Sequence, residues 1–290
     1  MSHKYPLTDM LLQHKVAIIT GAGQGLGQAY AQSLLDQGAC VVISDLGTNR
    51  SGEGATEDVI AEACRALRFD SGQLISHSGR LDNETGCREL IELAITRFGK
   101  LDILIHNAGW VDYQLIEDLD ADFLERAIDI NLRAPIWLSQ YAWPYLKDSS
   151  SPRIVLTTSD RAMYQRYAQS GLVAYAAGKM AQVGIMNALS LEGEQHGILV
   201  NAISPVARTR MWGSSQPPAD LKPEWVAPGV LYLASPLCQD TGYILRASNG
   251  QFTATRFCEN PGVVYPTDLK RIECENVADV AAQWQQIKET

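Results

Sequence analysis

Two residues able to hold and move protons, Tyr175 and Lys179, stand four apart in the stretch "LVAYAAGKMA" (172–181), which is otherwise small and apolar. On a helix that spacing puts a phenol and an ammonium one turn apart on one face. Taken alone, the pair is more readily an ordinary amphipathic helix with a snorkelling lysine. Whether it marks chemistry depends on what the rest of the chain brings to it.

A glycine-rich run, "TGAGQGLGQAY", follows the first strand-like segment, with Gly21, Gly25 and Gly27 in G-x-x-x-G-x-G spacing. This differs from the G-x-G-x-x-G dinucleotide fingerprint, but the physics is shared. Glycines allow a tight turn and let backbone N–H groups approach a pyrophosphate at a helix N-terminus. Asp45 ends the second strand-like segment, 18 residues after Gly27. A carboxylate there accepts both ribose hydroxyls of an adenosine and repels a 2′-phosphate. Arg50 lies nearby and would weaken that preference, but no basic residue follows Asp45 directly. NAD is therefore expected over NADP.

The elements that must position these groups alternate along the chain. "VAIIT" (16–20), "CVVISD" (40–45), "QLISH" (73–77), "LDILIHNAG" (101–109), "RIVLTTS" (153–159), "ILVNAIS" (198–204) and "GYILRAS" (242–248) read as strands. The central ones are continuously apolar, as strands covered on both faces are. Helical stretches such as 27–38, 87–99 and 121–146 lie between them. Strand–helix alternation predicts right-handed βαβ units. The expected fold is α/β, a Rossmann-type doubly wound parallel sheet of about seven strands. Residues 1–250 would form one dinucleotide-binding catalytic domain. Residues 251–290 would be a C-terminal extension, a loop plus one helix, packed on the same domain.

Composition narrows the partners. With a formal net charge of −9 and no basic stripe, nucleic acid is disfavoured. No apolar run approaches the length a membrane helix needs. The first residues lack a signal-peptide pattern. Six scattered cysteines without a C-x-x-C pair read as free thiols in a reducing compartment, so neither a zinc site nor any other metal is expected. The terminal "IKET" is neither a peroxisomal nor an ER address, and the chain is expected to be cytoplasmic.

Taken in order, several motifs resemble the short-chain dehydrogenase/reductase family over roughly residues 12–250. They are T-G-x-x-x-G-x-G at 20–27, "HNAG" at 106–109, Asn131 in "INLRAP", Ser159 ending "VLTTS", Tyr175-x-x-x-Lys179, and "NAISPVARTRM" at 201–211. "SDLG", "SPVARTRM" and "PEWVAPGVLYLAS" look most like the hydroxyacyl-CoA dehydrogenase domains of multifunctional β-oxidation enzymes and their bacterial relatives. The resemblance implies a catalytic set of Asn131, Ser159, Tyr175 and Lys179. Tyr175 would be the general acid/base, its phenol lowered from a pKa of about 10 by the Lys179 ammonium and a positive nicotinamide ring. Ser159 would hydrogen-bond the substrate oxygen. Lys179 would also hold ribose hydroxyls, and Asn131 a water leading from Lys179 to solvent. NAD would be met by Gly21, Gln24, Gly25, Leu26, Gly27, Asp45, Asn107, Ala108, Gly109, Tyr175, Lys179, Pro205 and Thr209. A homodimer or homotetramer would assemble through the helix of Tyr175 and the helix before it, where "WLSQYAWPYL" (137–146) is apolar.

The departures from the family pattern are local. His106 replaces the first asparagine of N-N-A-G, which implies a structural change, with Asn107 and Gly109 keeping the backbone role. The position where the family often carries an adenine-contacting aspartate falls near Gly79. Ser159 and Tyr175 are sixteen residues apart, about three more than the common spacing, so "DRAMYQRYAQSG" (160–171) is long. Trp110, Met163, Tyr164, Tyr167, Met211, Trp212 and Trp225 are candidate pocket residues for a bulky hydrophobic alcohol or ketone, either a hydroxyacyl-CoA or a cyclic alcohol such as a steroid or terpenoid. Arg161, Arg166, Arg208 and Arg210 could instead meet a carboxylate or CoA phosphates. The competing reading is a dinucleotide-binding regulatory or scaffold protein without catalysis.

Overall fold

The computed structural model describes residues 10–49, 51–209, 221–269 and 272–288. Eight strands form one sheet: β1 Val16–Thr20, β2 Cys40–Ser44, β3 Leu74–His77, β4 Ile103–His106, β5 Arg153–Thr157, β6 Leu199–Val206, β7 Ile244–Ser248 and β8 Gln251–Thr255. Their order is β3-β2-β1-β4-β5-β6-β7-β8. Neighbours from β3 to β7 pair in parallel, and β8 runs antiparallel to β7 at the edge. The seven expected strands are all present. The eighth occupies residues read from the sequence as the start of a trailing loop. Its cause is local: Asn249 and Gly250 adopt φ of 51° and 69°, the two-residue turn that folds a strand straight back on its neighbour.

Strand burial explains the continuous apolar runs. Alternate residues go to opposite faces. Ala17, Ile19, Val41, Ile43, Ile103, Ile105 and Val155 join one core cluster, with Tyr30 and Leu34 of α1 (Gly25–Leu35) and Val230 and Leu233 of α8 (Ala227–Ala234). Val16, Ile18, Val42, Leu104, Ile154 and Leu156 join the other. That face is covered by α3 (Glu84–Phe98), α5 (Ala134–Lys147) and α7 (Val173–Gly193), through Leu90, Ile91, Leu138, Leu146, Val183 and Met186. Each fully buried leucine or isoleucine contributes about 1.5–3 kcal/mol, so both helical layers are held by side chains from every central strand. The remaining helices of this unit are α2 (Glu57–Ala66), α4 (Ala121–Ile128) and the short α6 (Asp160–Met163). The compact α/β unit runs through Thr255; a second unit begins at Arg256 and contains α9, Val277–Lys288.

The sheet order sets the site. β1 has β2 on one side and β4 on the other, so successive connections leave it in opposite directions. A crevice results beyond the C-terminal ends of these strands, where open α/β sheets bind ligands. In register, Thr20 lies opposite both Ser44 and His106, so three polar residues end the apolar strands at one level.

One expected helix is not continuous. The stretch 121–146 is α4 and α5 joined by a π-helical turn, Asp129–Arg133. The Ala134 N–H reaches back five residues to the Asp129 carbonyl. The Asn131 amide donates to the Ala127 carbonyl at 3.0 Å, and the Ile130 carbonyl hydrogen-bonds the His106 ring at 2.9 Å. Side-chain competition for helix carbonyls widens the turn.

Candidate active site

The crevice holds a cleft of about 190 Å³ walled by Gly21, Gln24, Gly25, Leu26, Asp45, Asn107, Ala108, Gly109 and Thr209, all expected from the sequence to meet a cofactor. Gly27 lies buried beneath it. A Cβ at Gly27 would sit 2.2 Å from the Gly21 carbonyl oxygen, so only glycine lets α1 start this close to the turn. Asp45 braces the turn while facing the cleft. One carboxylate oxygen accepts from the Gly23 N–H at 2.9 Å and the other from the Gly47 N–H at 2.8 Å. Each oxygen keeps lone-pair capacity for a further donor.

Other cleft residues were not singled out in the sequence. Arg80 and Leu81 form part of the wall together with Asp82, beside Gly79 where the adenine-contacting position was expected. Arg80 and Asp82 are paired with each other. Trp110, expected on the substrate side, also lines this cleft. Arg126 lies 6.0 Å from the Trp110 ring centroid and 3.5 Å from Glu53. Arg50, Arg210, Met211 and Trp212 lie outside the described residues.

An adjoining pocket of about 170 Å³ shares Leu26, Asn107, Gly109, Trp110 and Thr209 with the cleft. It also contains Ser159, Tyr175, Lys179 and Pro205. Tyr175 and Ser159 face the same pocket, and the Ser159 side chain favours the charged form of the Tyr175 phenol. Ser159 caps α6, its oxygen accepting from the Arg161 N–H at 3.2 Å. Lys179 is buried, and α7 comes close to the π turn at Gly178, where a Cβ would meet that of Asn131 at 2.7 Å. Asn131 and Lys179 converge at Gly109: a Cβ there would lie 3.4 Å from Asn131 Oδ1 and 3.1 Å from Lys179 Nζ. Asn131 Oδ1 is buried with no hydrogen-bond partner among the described residues, an acceptor beside a buried ammonium. The four expected catalytic residues are thus gathered from the start of α6, from α7 and from the π turn, which are separate segments of the sequence.

The electrostatics differ from the expected pattern. Burial pushes the Tyr175 phenol above its ordinary value, opposed by the Ser159 hydrogen bond and the charge on Arg161. Lys179, expected to lower it, is itself pulled down to about 7 by burial. A desolvated ammonium is disfavoured just as a desolvated phenolate is. The cation acting on Tyr175 is Arg161, two residues after Ser159 in the same short helix.

His106 is structural, as the sequence implies, and its contacts show how. Burial, then the nearby charge on Lys179, drives its pKa down to about 3, with the Ile130 hydrogen bond working the other way. The ring is neutral, donating from Nε2 to the Ile130 carbonyl and accepting at Nδ1 from the Thr20 hydroxyl at 3.1 Å. Thr20 Oγ1 in turn accepts from the Asn107 and Ala108 N–H groups at 3.1 and 3.0 Å. The Asn107 amide donates to the Thr20 and Gly21 carbonyls. Thr20 heads the T-G-x-x-x-G-x-G motif but was given no role of its own from the sequence, because a threonine ending a strand does not state which distant groups it will meet.

On the substrate side the sequence expectations need correction. Met163 is half-buried and packs against the core cluster beneath α3, α5 and α7 rather than lining the pocket. Tyr164 turns toward β7 and β8, its ring 4.8 Å from the Arg246 guanidinium and its hydroxyl 3.3 Å from Thr255 Oγ1. Tyr167 is exposed with Arg166 over its ring, and Trp225 is exposed with Lys222 over it. None of these four lines the pocket; Val111, Asp160, Arg161, Val206 and Ala207 do.

The family model for short chain dehydrogenases matches residues 15–219. The chain belongs to the short-chain dehydrogenase family. It is 31% identical to a short-chain type dehydrogenase/reductase of Mycobacterium tuberculosis, over 95% of this chain and 94% of that one. It is 33% identical to the peroxisomal multifunctional enzyme type 2 of Drosophila melanogaster, over 92% of this chain but 44% of that longer protein. The crystal structure of a short chain dehydrogenase from Mycobacterium avium superposes with a TM-score of 0.77 at 25% identity, covering 96% of this chain and 95% of that one. The chain is therefore an oxidoreductase of the short-chain dehydrogenase family, and the likeness to multifunctional enzymes read from its motifs is met.

In this short-chain dehydrogenase, His106→Leu leaves the Ile130 carbonyl and the Thr20 hydroxyl without the ring. We expect a loss of about 2 kcal/mol at neutral pH, measured by urea unfolding. The folded pKa is depressed below the unfolded value of about 6.5, so the stability from the neutral ring is present above that pH and lost as pH falls toward about 3. The gap between wild type and His106→Leu should accordingly narrow in acid.

Proposed function

We propose that the chain is an NAD-dependent dehydrogenase that interconverts a secondary alcohol and a ketone on a bulky apolar substrate. The observation that carries this reading is the gathering of Ser159, Tyr175 and Lys179 in one pocket that shares a wall with the glycine-turn cleft. A nicotinamide dinucleotide fits that cleft, where close-packed glycine backbone meets a carboxylate at the end of β2, and when bound it supplies the hydride acceptor or donor. Gly21–Leu26 would hold the phosphates and Asp45 the adenosine ribose.

The proton handling falls to the protein. The Ser159 and Tyr175 hydroxyls would both hydrogen-bond the substrate oxygen, fixing the carbinol carbon toward the cleft. Tyr175 takes the proton of the alcohol during oxidation and returns it to the ketone during reduction. Lys179 and Asn131 Oδ1, meeting at Gly109, offer a donor and an acceptor for passing that proton onward. Trp110, Val111, Val206 and Ala207 supply an apolar wall, which suits either the hydroxyacyl-CoA or the cyclic-alcohol class.

NAD is favoured over NADP by charge. Asp45 lines the cleft, and the basic side chains described in the same wall are already engaged, Arg80 with Asp82 and Arg126 with Glu53. A 2′-phosphate would meet a carboxylate with no free cation among the described residues to offset it. For assembly we propose a homodimer or homotetramer through α5 and α7, where Leu132, Ile136, Trp143, Ile185 and Leu189 line an apolar groove and Gly184 meets no neighbouring atom.

Three measurements test this reading. Tyr175→Phe should lower kcat by about 10²–10⁴-fold while NADH affinity stays near that of wild type. Unchanged turnover would sink the mechanism, and the absence of any NAD reduction by wild type across an alcohol panel would favour a non-catalytic dinucleotide-binding protein. The kcat/KM for NAD should exceed that for NADP, and Asp45→Ala should narrow the ratio. Sedimentation should show a dimer or tetramer at micromolar concentration, whereas a monomer alone would remove the role given to α5 and α7.

A further inference from the structure

The pocket around Tyr175 contains two side chains of opposite charge from adjacent positions, Asp160 and Arg161. Their situations are unequal. Asp160 is fully engaged: Arg246 Nη2 donates to one carboxylate oxygen at 2.7 Å, Arg246 Nε reaches both oxygens at 3.0 and 3.1 Å, and the Ser204 hydroxyl donates at 2.8 Å. This fork binds the start of α6 to β6 and β7 and neutralises the carboxylate. Arg161 has no such counter-charge among the described residues. Its one recorded side-chain partner is a neutral phenol, with Nη1 donating to the Tyr113 hydroxyl at 3.0 Å. Tyr113 passes its own proton to Gln169 Oε1 at 3.0 Å, so its oxygen is oriented to accept from Arg161. A guanidinium has five N–H donors, and this contact uses one. The pocket therefore holds a half-buried, oriented cation with no counter-charge among the described residues, in a chain whose formal net charge is −9.

We infer that Arg161 receives a carboxylate of the substrate, and that the preferred substrates are hydroxy acids or keto acids with an apolar body, the carboxylate lying close to the reacting carbon. This rests on the dehydrogenase reading and narrows its substrate class. Placement carries the closeness. Arg161 follows Ser159 by two residues, and its backbone N–H is bonded to the Ser159 oxygen that would hold the reacting group. Arg161 also lines the pocket that holds Ser159 and Tyr175, and its charge is close enough to act on the Tyr175 phenol, so a group bound by it lies in the same pocket as the reaction centre. A full negative charge is the partner a partly desolvated guanidinium lacks, and a planar carboxylate matches its donor fork. A neutral ester or thioester carbonyl offers an acceptor but no charge. The positive charge also acts on Tyr175, where it eases loss of the phenol proton, so an anion bound to Arg161 would moderate that effect.

The test uses the full chain and a series of β-hydroxy acids from short to long, each beside its methyl ester. Binding is measured by calorimetry with NADH present, and turnover by NAD reduction. Wild type should bind the best acid about tenfold or more tightly than its ester. Arg161→Gln should erase that preference by weakening the acid alone, and Arg161→Lys should keep part of it, with NADH affinity unchanged in both. Acid binding by wild type should also weaken as salt rises, a readout that needs no variant. An equal or weaker affinity for every acid than for its ester, or an equal loss of both in Arg161→Gln, would overturn the inference. Failure of the dehydrogenase reading looks different: the acids bind in an Arg161-dependent way and no NAD is reduced with either member of any pair.

Discussion

A single buried hydroxyl, that of Thr20, links the parts of this molecule that must act together. It ends β1, accepts from the backbone of Asn107 and Ala108, and meets the ring of His106, which in turn holds the Ile130 carbonyl in the π turn. The glycine turn, the loop after β4 and the helix bearing Asn131 are thereby joined by short polar contacts in a dry interior. An unmade hydrogen bond at such depth costs about 1–3 kcal/mol, so each piece is held in one arrangement. The doubly wound sheet makes this possible by bringing the ends of β1, β2 and β4 to one level.

Burial then governs the proton chemistry. It raises the Tyr175 phenol and draws Lys179 down toward neutrality, so each group is kept from its charged form by the same loss of solvent. What offsets this for Tyr175 is local: the Ser159 hydrogen bond and the Arg161 charge, both from the start of α6. His106, equally deep, is likewise kept neutral by burial and the nearby Lys179 charge, and both its ring nitrogens are engaged inside the protein. Depth alone does not decide which buried groups handle protons; the partners left open to a ligand do.

The long segment after Ser159 is tied to the scaffold by its own side chains. Asp160 anchors it to Arg246 on β7, and Tyr164 lies by the same guanidinium. Tyr164 is thus engaged in fastening the segment, while its first residues, Asp160 and Arg161, face the pocket. β8, formed by the Asn249–Gly250 turn, supplies the Thr255 hydroxyl that meets Tyr164.

Much of this was legible in order and spacing. The strand–helix alternation, the glycine turn, Asp45, and the set Asn131, Ser159, Tyr175 and Lys179 depend on short-range patterns: hydrophobic period, tight-turn residues, and one helical turn between a phenol and an ammonium. The likeness to the short-chain dehydrogenase family rests on the same local marks. Even the eighth strand had its signal in Asn249–Gly250, although nothing in the alternation required another strand. Tertiary structure decided the rest, because it turned on which distant groups meet. Met163, Tyr164 and Tyr167 read as pocket residues by type and position, yet core packing and the Arg246 guanidinium drew the first two away and left the third at the surface. Arg161, expected only as a candidate carboxylate or phosphate contact, is the cation whose charge lowers the Tyr175 phenol, while burial draws Lys179 down to about 7. No spacing along a chain states how deeply a charge will be buried or what will be left beside it; only the folded packing sets the local dielectric and the partners.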